Sequence, residues 1–377
     1  MKANESLIQA TSTPLASIFG SGFLVIVPIL AGAVGVYSPL IMVAVCALAY
    51  AVGSVIRFNI LHAEPVLAGK PPVDTRSLER AADLALIFAY VISVCLYIHI
   101  LASFVLGGLK ADTELNENVL ATAVIGAMIA VGMIRGLKML EVLESWALYI
   151  TLLIIMLVLA GFSHYDWTAW KSAAGLAWPR PNDHTTWETL TIVAGTLIVV
   201  QGFETPRYLG EIFDAGTRVR ASRWSQIVST VVYIVFVSLA LPVLHTLNGR
   251  YNDNSLIDLV GTAAAVLMVP MIAAAALSQF SAAVADTLAA TGNMEEVTHD
   301  HLKERYGYIL VGGGAIMLTW SANTFEIVAL ASRAFALYYL LQCLVAITVS
   351  KSVLQKVGMA AVAVALAFIA IFAVAAS

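Results

Sequence analysis

The sequence predicts an all-α integral membrane protein of about eleven membrane-spanning helices. Three observations carry this. Of 377 residues, 60% are hydrophobic and only 12% are charged, where soluble domains carry about 25% charge. The apolar residues fall in long unbroken runs. The basic residues between those runs fall mostly on one side.

A helix needs about 20 mainly apolar residues to cross a bilayer. Eleven segments approach or exceed this: Leu15–Val36, Ser38–Ile60, Ala82–Leu109, Val119–Ile134, Leu143–Phe162, Leu190–Ile212, Ile227–Leu247, Ala263–Thr291, Ile309–Trp320, Phe325–Val349 and Val353–Ala376. The fourth and ninth are short. Only helices and closed barrels satisfy every backbone polar group inside lipid. These runs are too long and too little alternating for barrel strands. A single transmembrane domain over 1–376 is therefore expected, with no separate soluble unit.

Lys and Arg set the orientation. With the N-terminus in the cytoplasm, inside segments hold fourteen of the twenty basic residues, and outside loops hold only Lys110, Lys171, Arg180 and Arg250. Arg207 and Arg333 lie within or at the ends of spans. The positive-inside bias favours this N-in, C-out topology in the cell (inner) membrane and matches an odd number of spans. Trp167, Trp170, Trp178 and Trp187 cluster in the outside segment 163–188, as interfacial anchors do. Net charge is −4, so nucleic acid is not an expected partner. Cys46, Cys95 and Cys343 all sit in apolar runs and form neither a disulfide framework nor a metal motif.

Two spans interrupt themselves. The first contains Gly20, Ser21, Gly22 and Phe23, then Pro28; the sixth contains Gln201, Gly202, Phe203, Glu204 and Pro206. Gly weakens a helix, and Pro removes a donor and clashes with the preceding turn. Broken helices in lipid line cavities or meet protein, and transporters place sites at such breaks. Free N–H groups at Ser21, Gly22 and Phe23 would receive an anionic group. Gln201, Gly202 and Phe203 would supply carbonyls and a wall, with Glu204 beside them. Glu204 could pair with Arg207 or face the cavity. Spans 1 and 6 run in opposite directions and open two five-helix halves, 15–162 and 190–349, with 353–376 left over.

Ile18-Phe19-Gly20-Ser21-Gly22-Phe23 resembles the first-helix signature of the amino acid–polyamine–organocation superfamily. Gly202-Phe203-Glu204, with Glu211, Arg218, Arg220 and Ala221 downstream, resembles that superfamily's sixth-span pattern. The resemblance implies the leucine-transporter fold: five plus five inverted helices, here with one extra C-terminal helix. It implies a secondary transporter of a small organic solute such as an amino acid, coupled to Na⁺ or H⁺, and no other cofactor. In sodium-coupled relatives the ion lies between helices one and eight. The matching positions are the carbonyls of Ala16, Phe19 and Ala283 with the Asp286 and Thr287 side chains, an oxygen set that suits a hard cation. Some proton-driven relatives carry a fifth-helix lysine; that position is close to Thr151, and no Lys or Arg occurs from Leu143 to Phe162. Third-helix aromatics wall such cavities, which points to Tyr97. The DPGN-like first break and Met-containing sixth break of the divalent-metal branch are missing. The second span ends Arg57-Phe58-Asn59-Ile60 and His62-Ala63-Glu64-Pro65, a departure that leaves subfamily and substrate open.

His99 is expected as a hydrogen-bonded core residue, and Glu326 and Arg333 as a structural or gating pair. Thr298-His299-Asp300-His301 reads as a solvated loop. An enzyme would need a convergent nucleophile, base or metal set, and neither HExxH nor GxSxG occurs. A channel would show a repeated pore loop, and a sensor a soluble domain. Neither pattern is visible.

Overall fold

The computed structural model describes residues 2–20, 22–137, 141–173, 175–180, 183–298 and 301–376. The side chains of 2–5, 141–145 and 304 lie outside the described set. Among the described residues the fold is all helix and no strand. Among the described residues nine stretches are long and apolar enough to cross a bilayer, and three of them, Ile26–Leu67, Thr186–Leu209 and Ser255–Val297, each run through more than one helical segment. The protein is a multi-pass membrane protein.

The first span is α1 (Lys2–Gly20) and α2 (Ile26–Val34), separated by the expected break. Then come α3 (Ser38–Phe58), a π-helical turn Asn59–Ala63 and α4 (Glu64–Leu67). The third to fifth spans are α5 (Val73–Gly108), α6 (Glu114–Arg135) and α7 (Glu141–Lys171). The sixth is α8 (Thr186–Ala194), a 3-10 turn Leu197–Val200, extended Gln201 and Gly202, and a second 3-10 turn Thr205–Leu209. The seventh is α9 (Ala215–Ala240). A separate helix α10 (Ser255–Ala264) precedes α11 (Met268–Val297), so the eighth span starts and ends later than its hydropathy run. The last three are α12 (Glu304–Thr319), α13 (Thr324–Val349) and α14 (Val353–Phe372). The ninth span stays short at 16 residues.

Capping explains several boundaries that hydropathy misplaced. The Thr185 hydroxyl accepts from Glu188 N, and Glu188 accepts from Thr185 N, which starts α8 inside the expected loop. Asp214 does the same work for α9, accepting from the Thr217 N–H at 3.0 Å. The Thr217 hydroxyl and N–H hold its carboxyl below the ordinary carboxylate range. Asn323 and Glu326 form a capping box at the start of α13. Glu326 is thus a cap rather than the expected partner of Arg333. Arg333 Nε instead donates to the Ala370 carbonyl of α14 at 3.0 Å. The two residues serve different helices.

Trp167, Trp170, Trp178 and Trp187 are all exposed, as anchors should be. Trp187 also meets Phe368 and Phe372 of α14 edge to face. The three cysteines are free and buried.

Candidate functional site

The two breaks lie against each other. Gly22 has φ +136° and Gly202 φ +121°, a region that only glycine enters at low cost. A Cβ on Gly202 would sit 2.7 Å from Ile18 N of α1, and one on Gly22 would sit 3.1 Å from Val199 Cγ2. Each glycine is therefore needed twice, for its dihedral and for the close approach. The Tyr233 hydroxyl of α9 lies within reach of both the Ile18 carbonyl (3.0 Å) and the Val199 carbonyl (2.6 Å). It joins the last turn of α1 to the 3-10 turn Leu197–Val200.

Glu204 is fully buried beside the sixth-span break. Its carboxylate accepts from the Gln201 side-chain amide at 2.5 Å, the Gly202 N–H at 3.0 Å and the Tyr339 hydroxyl at 2.8 Å. A buried carboxylate is costly without donors, and three donors offset that cost. The pairing of Glu204 with Arg207 weighed from sequence is replaced by these contacts, because Arg207 is ion-paired with Glu79 of α5. Tyr97 donates to Gln201 Oε1 at 3.4 Å, and Phe203 stacks on Tyr339 with centroids 5.2 Å apart. The structure thus gathers Tyr97, Gln201, Gly202, Phe203 and Glu204 into one buried cluster.

A cavity of about 340 Å³ opens beside this cluster, between α1, α5, α7, the Thr205–Leu209 turn and α11. Among the described residues Asp286 is its one lining carboxylate, and no Lys, Arg or His lines it. Hydroxyl-bearing residues, among them Ser17, Tyr90, Thr151, Tyr208, Ser278 and Ser281, share the wall with Ala, Leu, Ile212 and Phe19. Ser93 of α5 donates to Asp286 Oδ2, so a buried hydroxyl orients the carboxylate.

The residues expected from sequence divide around this cavity. Ala16, Phe19 and Asp286 line it. Ala283 and Thr287 are buried on the same helix, with the Thr287 hydroxyl donating to the Ala283 carbonyl at 2.7 Å. Gly20 and Gly22 are outside its lining. Phe23 instead faces a small adjoining void with Phe19 and Thr151, stacked on Phe236 with centroids 4.1 Å apart. Ser21 lies outside the described residues, as do His299 and Asp300. His99 lies elsewhere, by a separate cavity lined by Asp112, Glu117 and Asp253 among others.

Sequence reading missed Ser93, Tyr90, Tyr233 and Tyr339. A lone serine or tyrosine in an apolar run gives no signal until a neighbouring helix supplies its partner. Thr151 was located by position alone, and it does line the cavity.

Comparison with known proteins agrees in fold. A family model described as "APC superfamily transporter" matches residues 2–375. The chain is 38% identical over 343 residues to an uncharacterized protein of Aquifex aeolicus (strain VF5), spanning 90% of this chain and 83% of that one. Among solved structures it is similar to a mutant of the Eremococcus coleocola manganese transporter. That match has TM-score 0.58 and 11% identity, over 97% of this chain and 85% of that one. It is also similar to the same transporter in complex with an aromatic bis-isothiourea substituted compound, with TM-score 0.58 and 13% identity over 98% and 86%. At such identity the likeness carries the fold alone. The chain belongs to the APC superfamily of transporters.

Proposed function

We propose that the protein is a secondary active transporter of a small organic solute, an amino acid or related compound, driven by Na⁺ or H⁺ through alternating access. The supporting observation is the cavity that joins α1 to α11, with Asp286 as the one lining carboxylate among the described residues. A cation bound there would touch the helix that carries the first break. Ion and solute would then each favour one conformation, which is the reciprocal linkage that coupling requires. The candidate ion ligands are the Ala16, Phe19 and Ala283 carbonyls with Asp286 and Thr287. The candidate solute contacts are Gly20, Ser21, Gly22, Phe23, Tyr97, Gln201, Gly202, Phe203 and Glu204. The two halves 15–162 and 190–349 form an inverted repeat in this reading, with the N-terminus cytoplasmic and the C-terminus outside.

Manganese as cargo suits the cavity poorly. Such an ion prefers several oxygen or nitrogen donors in octahedral array, and among the described residues the lining offers one carboxylate with no His, Cys or Met. Enzymatic chemistry lacks a convergent set of groups there. A channel or sensor does not account for the paired breaks.

A thermal-shift screen of the purified protein against a solute panel, with and without Na⁺, tests the reading, followed by uptake into proteoliposomes. A solute that stabilises the protein and accumulates against its gradient under an imposed Na⁺ or H⁺ gradient supports it. Solute movement that only ever equilibrates, whatever ion gradient is imposed, contradicts it.

A further inference from the structure

A second cavity lies apart from the one beside the breaks. Its volume is about 520 Å³, within the range of small-molecule sites. Among the described residues the two cavities share no lining residue. The second forms where α5 ends, α6 and α13 begin, and the segment 252–254 ahead of α10 meets them. Its lining is acidic. Asp112, Glu114, Glu117 and Asp253 contribute to it, and among the described residues no Lys or Arg does. These groups are graded in depth. Asp112 and Glu114 are exposed, Glu117 and Asp253 are half-buried, and His99 and Thr324 are buried.

Some of this acidity serves the fold. Glu114 and Glu117 fall in the first turn of α6, where the helix dipole favours carboxylates. Asp112 accepts from the Asn254 amide at 2.9 Å. Asp253 accepts from the Ser103 hydroxyl at 2.9 Å and the Thr324 hydroxyl at 2.5 Å, which ties α5 to α13. None of these roles accounts for His99. It is 3% exposed, and among the described residues neither ring nitrogen makes a hydrogen bond. The Thr319 carbonyl is near the ring but outside hydrogen-bond geometry. The hydrogen-bonded core role expected of His99 from sequence is therefore not met. Burying a polar group without a partner costs free energy, and this one lines the floor of a roomy cavity.

The lining groups have one chemistry in common. Carboxylates attract positive charge and accept N–H donors, and so does the bare nitrogen of a neutral imidazole. A single metal ion does not suit them, since no group of three His, Cys, Asp or Glu side chains among the described residues is placed to hold one. The acceptors are spread from mouth to floor instead. That spread suits a ligand whose positive charges are also apart. An ammonium beside a carboxylate forms a charge-assisted hydrogen bond, and water screens the pair less as depth increases.

We propose that this cavity is a second binding site, distinct from the cavity that holds Asp286, for an organic cation with an amine at each end of a short chain. One ammonium donates to His99 at the floor, beside Glu117 and Asp253. The other rests between Asp112 and Glu114 at the mouth. The bound cation holds α5 and α6 together without entering the other cavity.

Isothermal titration calorimetry of the purified protein tests this, with diaminopentane as the probe and pentylamine and Mg²⁺ as comparisons at equal ionic strength. Diaminopentane should bind about tenfold more tightly than pentylamine, the worth of one more charge-assisted contact. Glu117→Gln and His99→Phe should each weaken it by about fivefold or more. Asp286→Asn, in the other cavity, should leave its affinity unchanged. If His99→Phe fails to fold, Glu117→Gln decides. Diaminopentane that does not bind, or binds no more tightly than pentylamine or Mg²⁺, overturns the site. So does unchanged affinity in Glu117→Gln or in a folded His99→Phe. Affinity lost in Asp286→Asn and kept in Glu117→Gln would put the amine in the other cavity and overturn the site as well. Because no uptake is measured, a failed second site leaves the proposed function standing, and a failed uptake assay leaves the second site standing.

Discussion

The first and sixth spans each break at a glycine with positive φ, Gly22 and Gly202, yet the two breaks are held by different physics. The first is wrapped in aromatic side chains. Phe19 and Phe23 meet Tyr233, and Phe23 stacks on Phe236. The sixth is held by a buried carboxylate, with Glu204 collecting donors from Gln201, Gly202 and Tyr339. Tyr233 serves both, through the Ile18 and Val199 carbonyls. Aromatic packing loses stability gradually as contacts are trimmed. A carboxylate network fails abruptly, because each lost partner strands a buried polar group. The break made of polar contacts should therefore be the more fragile of the two.

The largest expected effect comes from removing the carboxylate. Glu204→Ala strands the Gly202 N–H and the Gln201 amide in the interior and should destabilise the protein by about 3 kcal/mol or more, read as a large fall in melting temperature. Glu204→Gln keeps the size but faces the Gln201 amide with a mixed donor and acceptor, and should fall between that variant and wild type.

Gly202→Ala comes next. Its Cβ would meet Ile18 N at 2.7 Å from a positive φ, at a cost of about 1–3 kcal/mol in strain. Gly22→Val forces a β-branched side chain into φ +136°, 3.1 Å from Val199 Cγ2 and 3.4 Å from its Cα. It should cost a similar amount, about 1–3 kcal/mol, and abolish uptake by the protein that still folds. Uptake retained in that variant would move the solute site away from the first break.

Tyr233→Phe sharpens the comparison, because it removes one hydroxyl and keeps the ring stacked on Phe19. It should cost about 1–1.5 kcal/mol. Phe236→Leu, on the aromatic side alone, trims a buried ring while keeping an apolar side chain in place and should cost about 1–1.5 kcal/mol. The smallest effect is expected at Asn323→Ala, far from both breaks, where loss of the cap should cost about 1 kcal/mol.

Much of this fold is legible in the sequence, and the reasons are physical. Long apolar runs report spans because lipid leaves the backbone no alternative. Both interruptions are legible because glycine and proline act through the local backbone. Span ends are less legible. α10 and the late start of α11 depend on how the outer loop folds back, which hydropathy does not encode. Side-chain partners are the least legible. Arg207 lies three residues from Glu204, and sequence proximity suggests a pair, but the partner is Glu79, 128 positions away. Glu326 and Arg333 sit two turns apart on one helix, yet one caps α13 and the other reaches α14. Asp286 stood out because a carboxylate inside a span is costly, whereas Ser93, its donor, carries no such mark.

The most direct test of the account is uptake by Asp286→Asn measured across Na⁺ and pH titrations beside the wild type. If the cavity holds Na⁺, the variant should need a higher Na⁺ concentration for half-maximal uptake, with Thr287→Ala showing a milder shift in the same direction. If Asp286 carries a proton instead, the variant should lose the pH dependence of uptake and show no Na⁺ effect. Uptake by Asp286→Asn that follows the wild-type curve in both titrations contradicts a cation role for the cavity and leaves Asp286 as a structural partner of Ser93.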